Sequence, residues 1–526
     1  MKQRLNGLLY TPPCKWDRLV VIFLAVAGFF LWNHPDIVET AQHTQILLKD
    51  IFSGNFFAFY QDTMDAKAVL GYANAAHYHI LFYVLCAIWD LPLYLLSLVL
   101  PVSNFAFVLW TKAFGTLAWI LCGFLLQKVA SLLGISGEYL PWTGYGLWLC
   151  PIAFFTVLGM GQYDSLCLLF ILGALYLYLQ DKLLAFSLVM GMALVFKMFA
   201  LFVFVPLLLL REKRLLRVLG YLVIGMWLYL PGTLLFAGRN GDASFFNNLI
   251  AQRLFAQVLP FVAQPSILLV ALAALWFICW LWKPANQNSL HQKAIYVCLV
   301  TFSLLFLLVQ WHPQWLILLT NWQGNQSQRW MLLHGISVAG FFLMTAYLFV
   351  GQIEANLFDF GIIGQWFGVT ISGSAQQRTN TVYFDLIPYL AQLAPVAFSA
   401  PIIIGLFGKF PLKGKQLFDR LCPPAVGAPS IRLWLYGTFV VTFGAFWFIP
   451  SAFAWIKTKL LFPCLGDDII HRDTFFLPVV ESSWLKSADE PVHHGYGPKA
   501  LHRIFSMINT LLCLACGIDK FGTHHL

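Results

Sequence analysis

The sequence predicts an all-α fold: a polytopic transmembrane helical bundle. Only 10% of its 526 residues are charged, while 60% are apolar and 17% aromatic. A soluble domain carries roughly 25% charged residues, so this chain has too few charges to cover a water-facing surface. Apolar runs of about 17–25 residues recur along it, long enough to cross ~30 Å of hydrocarbon. The period-2 alternation of a membrane β-barrel is absent. Together these features predict roughly 11–13 spans, short or broken ones included, with an interfacial helix in the first outer loop.

The elements follow in order. Lys2, Arg4, Lys15 and Arg18 precede the run Leu19–Trp32, which puts the N-terminus in the cytoplasm and Asn33 outside. No small-residue cleavage site follows that run, so it reads as an anchor. The first outer loop covers 33–79. Within it, 35–52 has helical periodicity. Asp36, Glu39, Thr40, His43 and Asp50 fall on one stripe, and Ile37, Ala41, Leu48 and Phe52 on the opposite one. Such a helix is expected to lie in the interface with its acidic side toward water.

Further apolar runs cover about 80–100, 105–127, 143–160, 163–180, 183–210, 218–237, 266–282, 294–310, 331–350, 386–408 and 433–455. Arg211, Lys213, Arg214 and Arg217 mark one cytoplasmic loop, and Lys409, Lys413, Lys415 and Arg420 another. The net charge of +9 therefore reflects membrane topology and is not a nucleic-acid signal. Cys86, Cys122, Cys167 and Cys298 lie inside apolar runs and read as small hydrophobes. Residues 1–455 read as one transmembrane domain. Residues 456–526 form a more polar tail with His471, His493 and His494.

Two topologies fit the charge pattern. In the first, 80–100 spans fully and 183–210 is one helix of ~42 Å, with Lys197 stranded near its centre and Asp164 in the cytoplasm. In the second, 80–100 lies shallow or re-enters, and 183–210 breaks near Lys197 into two short limbs. Lys197 and Asp164 then both lie outside. The second is preferred, because a lone buried lysine costs several kcal/mol.

Four features could carry chemistry. Asp36 lies just past a span, where a carboxylate can accept a proton from an attacking hydroxyl. The bland alternative is a first-turn acid favoured by the helix dipole. Glu39 and His43 share its face and could orient it or bind substrate, or be ordinary polar-face residues. The loop Gly159–Ser165 contains Gln162, which could line a cavity, and Asp164, which could simply cap the next helix. Lys197 interrupts an apolar segment. Intramembrane cations are costly and mark substrate paths, an anionic lipid headgroup being a natural partner, although a lysine can also snorkel to the interface. His312, in Gln310-Trp311-His312-Pro313-Gln314-Trp315, sits beside indoles that suit a sugar or phosphate, or form an aromatic belt.

These features in this order resemble the GT-C superfamily of multispanning glycosyltransferases, and within it the mannosyltransferase-like bacterial branch. The likeness rests on Asp36 after the first span and on His77-Tyr78-His79 before an apolar stretch. It rests also on Gly161-Gln162-Tyr163-Asp164 before the run holding Lys197, and on His312–Trp315. The resemblance covers about residues 19–320. It implies a cavity at the outer membrane boundary, with Tyr78, His79, Gln162, Asp164 and Lys197 near it. It also implies inverting transfer of a hexose, mannose or glucose, from a polyprenyl-phosphate donor to a glycan, lipid or protein acceptor. No cofactor is implied, and the first loop lacks the Asp-x-Asp pair of a metal-dependent version. A bacterial plasma membrane is the expected location. The rival expectation is a transporter or flippase of a lipid-linked or anionic substrate, reusing the intramembrane lysine and the broken segment.

Overall fold

The structure, a computed structural model, describes residues 12–70, 75–135, 137, 139–237, 255–259, 264–309, 328–348, 360–367, 393–407, 411–412, 415–416, 432 and 435–440. The chain divides at Trp455/Ile456, and all described residues fall before that point. They are helical apart from short connections and a two-residue ladder between Pro411–Leu412 and Lys415–Gln416.

Helix α1 (Lys15–Leu31) and α2 (Pro35–Ser53) meet at a 72° elbow. The elbow is written into Asn33-His34-Pro35. The His34 Nδ1 accepts the Asp36 N–H at 3.2 Å, capping α2, and Pro35 occupies its first turn, where its missing N–H costs nothing. Gly54, at φ 78°, ends α2 in the left-handed conformation that glycine adopts without strain. A short turn (Phe56–Ala58) leads into α3 (Phe59–Leu70) and α4 (Ile80–Ser97).

The polar stripe expected on α2 is not a solvent face. Thr40, His43 and Asp50 are buried, as is Leu47, while Phe52 is exposed. The helix is sandwiched, not half-immersed. Thr44 reaches down to Asp90 of α4, and Asp50 faces Asp62 of α3. Periodicity within one helix cannot reveal that a second layer covers its polar side.

Next come α5 (Asn104–Leu132), α6 (Tyr139–Trp148) and α7 (Pro151–Gly159), the last closing in a π-helical turn over Phe155–Gly159. Then follow α8 (Asp164–Leu179), α9 (Leu183–Phe196) and α10 (Phe199–Arg211). The run 183–210 is thus broken at Lys197, whose backbone is extended (φ −151°, ψ 125°). The limbs have 14 and 13 residues, or about 20 Å each at 1.5 Å per residue. They run antiparallel. The Asp181 carboxylate, in the turn after α8, pairs with Arg211 at the far end of α10, and the Tyr178 hydroxyl donates to Leu207 O at 3.0 Å. Asp164 and Lys197 therefore share one end of the bundle, and Asp181 and Arg211 the other.

The placement of α4 follows from its neighbours. Trp89 and Trp110 exchange reciprocal indole-to-carbonyl hydrogen bonds of 2.8 and 2.9 Å. The Thr111 hydroxyl donates to Asp90 at 2.9 Å, and Lys112 bonds the last carbonyls of α1. The start of α4 adjoins Tyr78, over whose ring Lys197 sits. Start and middle of α4 thus both adjoin residues at the Asp36 end, while α4 is also long and apolar enough to cross a membrane. Asp181 and Arg211 mark the opposite end, and basic residues such as Arg211 are what the positive-inside bias favours on a cytoplasmic side.

The remainder includes α11 (Leu215–Gly225), α12 (Tyr229–Leu235), α13 (Ile267–Leu281), α14 (Gln287–Leu308), α15 (Gln328–Leu348), α16 (Ile362–Phe367) and α17 (Leu393–Phe407). Among the described residues, three helices (α4, α5 and α14) are long and apolar enough to cross a membrane, or up to six candidates if each bent pair is one span. Among the described residues, α8, α9, α10, α13 and α17 are shorter apolar helices of 10–17 residues. Several runs expected as full spans are therefore short limbs or bent pairs. Cys86, Cys122, Cys167 and Cys298 are free and buried.

Candidate functional site

Two first-turn carboxylates and one ammonium converge at the end of the bundle away from Arg211. Asp36 occupies the first turn of α2 and keeps 34% of its side chain exposed. The Gln162 amide donates to Asp36 Oδ2 at 2.7 Å. The His34 Nδ1 accepts the Asp36 N–H and also lies 3.2 Å from Asp36 Oδ1. His34 thus meets Asp36 at both its backbone and its side chain.

The loop that delivers Gln162 is built for close approach. Gly161 has φ 67°, and a Cβ there would lie 2.9 Å from Ile37 Cγ2, one residue past Asp36. Only glycine accommodates both the backbone and the neighbour. Behind the loop, a Cβ on Gly115 would meet Gln162 O at 3.2 Å, and the Ser165 hydroxyl donates to Gly115 O at 2.7 Å. The π-helical turn before the loop is a local irregularity of the kind frequent at functional sites.

Asp164 is not the cap of α8. Tyr163 holds that position, with no side-chain capping bond. The Asp164 carboxylate instead faces Lys197 Nζ at 3.2 Å, and the two side chains are 1% and 5% exposed. Lys197 does not snorkel. It also sits 5.0 Å over the Tyr78 ring and 5.9 Å from the Tyr163 ring. Lys197 is thus paired with a protein carboxylate. Asp36 is close enough for its charge to act on Asp164, and His77 is close enough to feel both Lys197 and Asp36.

The expected residues divide accordingly. Asp36, Gln162, Asp164, Lys197 and Tyr78 come together. His79 does not join them: its Nδ1 accepts the Leu81 N–H, its Nε2 meets Tyr229 O at 3.0 Å, and its ring stacks on Tyr229. It is a capping and packing residue, with a pKa held down to about 4 by burial. His43 is buried two turns along α2, edge-on to Tyr83, and so is core, not binding surface. Glu39 is half-buried one turn along from Asp36. His312 lies outside the described residues, as do Arg239, Asp242, Asn247, Asn248 and Arg253 of a second outer loop that could touch phosphate. Cys464, Cys513 and Cys516 lie outside them too. No group of three or more His, Cys, Asp or Glu side chains that could hold a metal occurs among the described residues.

Lys112 and Asp90 are among the buried charges that escaped sequence reasoning. Lys112 is 1% exposed and donates to the carbonyls of Gly28, Phe29 and Trp32, satisfying the end of α1 where the elbow begins. The Asn33 amide donates to Phe360 O at 2.9 Å from the other side. Asp90, fully buried, accepts from Thr44 and Thr111. Both charges sit inside apolar runs. The only sequence signal was the charge itself. Compared with protein-family models, curated proteins and solved structures, the chain matches none.

Proposed function

We propose that this integral membrane protein is a glycosyltransferase that moves a hexose, mannose or glucose, from a polyprenyl-phosphate carrier to an acceptor at the outer side of the membrane, with inversion. The observation that carries the reading is the state of Asp36: a partly exposed carboxylate aimed by Gln162 beside a buried ion pair. A general base needs access to the proton it takes and a fixed orientation, and Asp36 has both. In this reading Asp36 accepts the acceptor hydroxyl proton as that oxygen attacks the sugar C1. The C1–O bond to the carrier then breaks, and its electron pair leaves on the lipid phosphate.

Lys197 takes a modified role. Its ammonium is already engaged by Asp164, so it works as a positioning residue that keeps Tyr78 and the Gln162 loop in place. A phosphate arriving there would compete with Asp164 for it.

The rival reading, a transporter of an anionic substrate, draws on the same break. Transporter sites are built where discontinuous helices end near the bilayer midplane, and α9 and α10 end at Lys197. One experiment separates the two. Purified protein receives labelled polyprenyl-phosphate mannose or glucose with candidate acceptors, beside the Asp36→Asn variant. A new glycosidic bond made by the wild type and lost in the variant supports the enzyme. Equal transfer by both removes Asp36 as base. Movement of intact lipid-linked sugar across vesicles without bond formation supports the transporter.

A further inference from the structure

The cytoplasmic end holds a second polar constellation, independent of Asp36. The Lys213 ammonium donates to Leu209 O, Leu210 O, Cys279 O and Trp282 O at 2.7–3.0 Å. Lys293, only 8% exposed, donates to Lys283 O at 3.2 Å and sits 4.6 Å over the Trp282 ring. Two ammonium groups are thus held on the consecutive carbonyls of Trp282 and Lys283. The Lys283 side chain is itself exposed beside them, and the Trp280 indole donates to Lys213 O.

None of the three lysines has a carboxylate partner among the described residues. The nearby acids are taken: Asp181 pairs with Arg211, and Glu212 with Arg217. Burial pushes the Lys213 ammonium down to about 8, and the charges of Lys293 and Lys283 add to that push. Like charges at such range repel unless an anion lies between them.

The surroundings say which kind of anion. Leu215, Leu216 and Leu219 on α11, and Phe277, Ile278 and Leu281 on α13, are all exposed large hydrophobics. They stand on the two helices whose ends Lys213 adjoins, so an occupant with acyl chains suits this surface better than a bare ion. Indoles at the rim suit the headgroup level. Basic pockets between helices on the cytoplasmic side are the setting for anionic headgroups.

We infer that Lys283 and Lys293, on the turn that Lys213 holds through its carbonyl bonds, form with Trp282 a binding site for the phosphate of an anionic phospholipid in the cytoplasmic leaflet.

The test uses the full-length protein, delipidated in neutral detergent. Native mass spectrometry follows adducts with phosphatidylglycerol and phosphatidylcholine, with inorganic phosphate as competitor. Phosphatidylglycerol is expected to bind at about 25-fold lower concentration than phosphatidylcholine, since each of the two interfacial cations is worth about fivefold in binding. Lys283→Gln, whose exposed side chain leaves the fold intact, should weaken phosphatidylglycerol about fivefold. Lys293→Gln should weaken it at least as much. Lys128→Gln, an exposed cation elsewhere in the chain, should leave it unchanged. Equal binding of the two lipids overturns the inference, and so does an equal loss in Lys128→Gln. Displacement of the lipid by inorganic phosphate at matching concentration also overturns it, since the site would then recognise a free anion.

Discussion

Removing one partner of the Asp164–Lys197 pair should destabilise the protein far more than removing both. The charges lie 3.2 Å apart. At an effective dielectric constant of about 20 their attraction is about 5 kcal/mol. Either charge left alone would be buried and uncompensated, at a cost of roughly 3–5 kcal/mol. Lys197→Met and Asp164→Leu should each lower stability by that amount. The double variant should recover most of it, because a buried pair replaced by apolar groups of similar volume is often neutral or better. The assay is a double-variant cycle on thermal unfolding in detergent. A double variant as unstable as the sum of the single ones would show that the charges act independently. Single variants within about 1 kcal/mol of wild type would show that water reaches the pair. Either result refutes the picture of a dry pair that locks the Gln162 loop.

Other outcomes follow from the same geometry. Asp36→Asn should cut transfer by about 10²–10⁴-fold while leaving the melting temperature within a degree or two, since the side chain is a third exposed and Gln162 can still bond the amide oxygen after rotation; activity and melting are read on one preparation. Gly161→Ala should cost about 2 kcal/mol or more, because it adds a left-handed backbone penalty to a Cβ 2.9 Å from Ile37; thermal unfolding measures it. Lys112→Met should cost about 3 kcal/mol or more by orphaning buried carbonyls, and Lys112→Arg should not restore it in so tight a site, again by unfolding. Asp50, buried against Asp62, has its carboxyl pushed up to about 7, first by burial and then by the Asp62 charge. An acid whose folded pKa is raised keeps its proton when the unfolded chain has lost it, so the stability it contributes is full below about pH 4 and is lost as pH rises through about 7. Melting temperatures at pH 5.5 and 8.5 should differ in that sense, and Asp62→Asn should shrink the difference.

The parts of the site legible in the sequence were those written as local chemistry. Asp36 reads as an acid in the first turn of a helix, and the structure has that. The single cation at Lys197 implied a break in a run too long for one span, and the break is there. Gln162 was marked out by its loop, and Gly161 beside it lies against Ile37. The illegible parts depend on partners that carry no side-chain pattern. Lys112 bonds backbone carbonyls of α1, and any residue offers those. His43 and Asp50 looked solvent-facing because a helical stripe reports its own face, not the layer laid over it. Asp164 and Lys197 were each marked out, yet their pairing needed the antiparallel turn between α8 and α9.

Why polar groups collect at this end has a single physical cause. Each limb α9 and α10 is about 20 Å long, short of the ~30 Å hydrocarbon thickness, and the chain reverses where they end. Every such reversal exposes backbone donors at helix starts and acceptors at helix ends. A membrane interior supplies no water for them, so side chains must. Lys112 answers the end of α1, and His34 the start of α2. The charges then sort by helix polarity. Asp36 and Asp164 lie in the first turns of α2 and α8, where the dipole favours an anion. Lys197 lies at the end of α9, where it favours a cation. Charges that suit helix ends thus alternate in sign at one end of the bundle. Of the three, Asp164 and Lys197 neutralise each other in the dry layer, which leaves Asp36, the member nearest water, as the one able to exchange a proton.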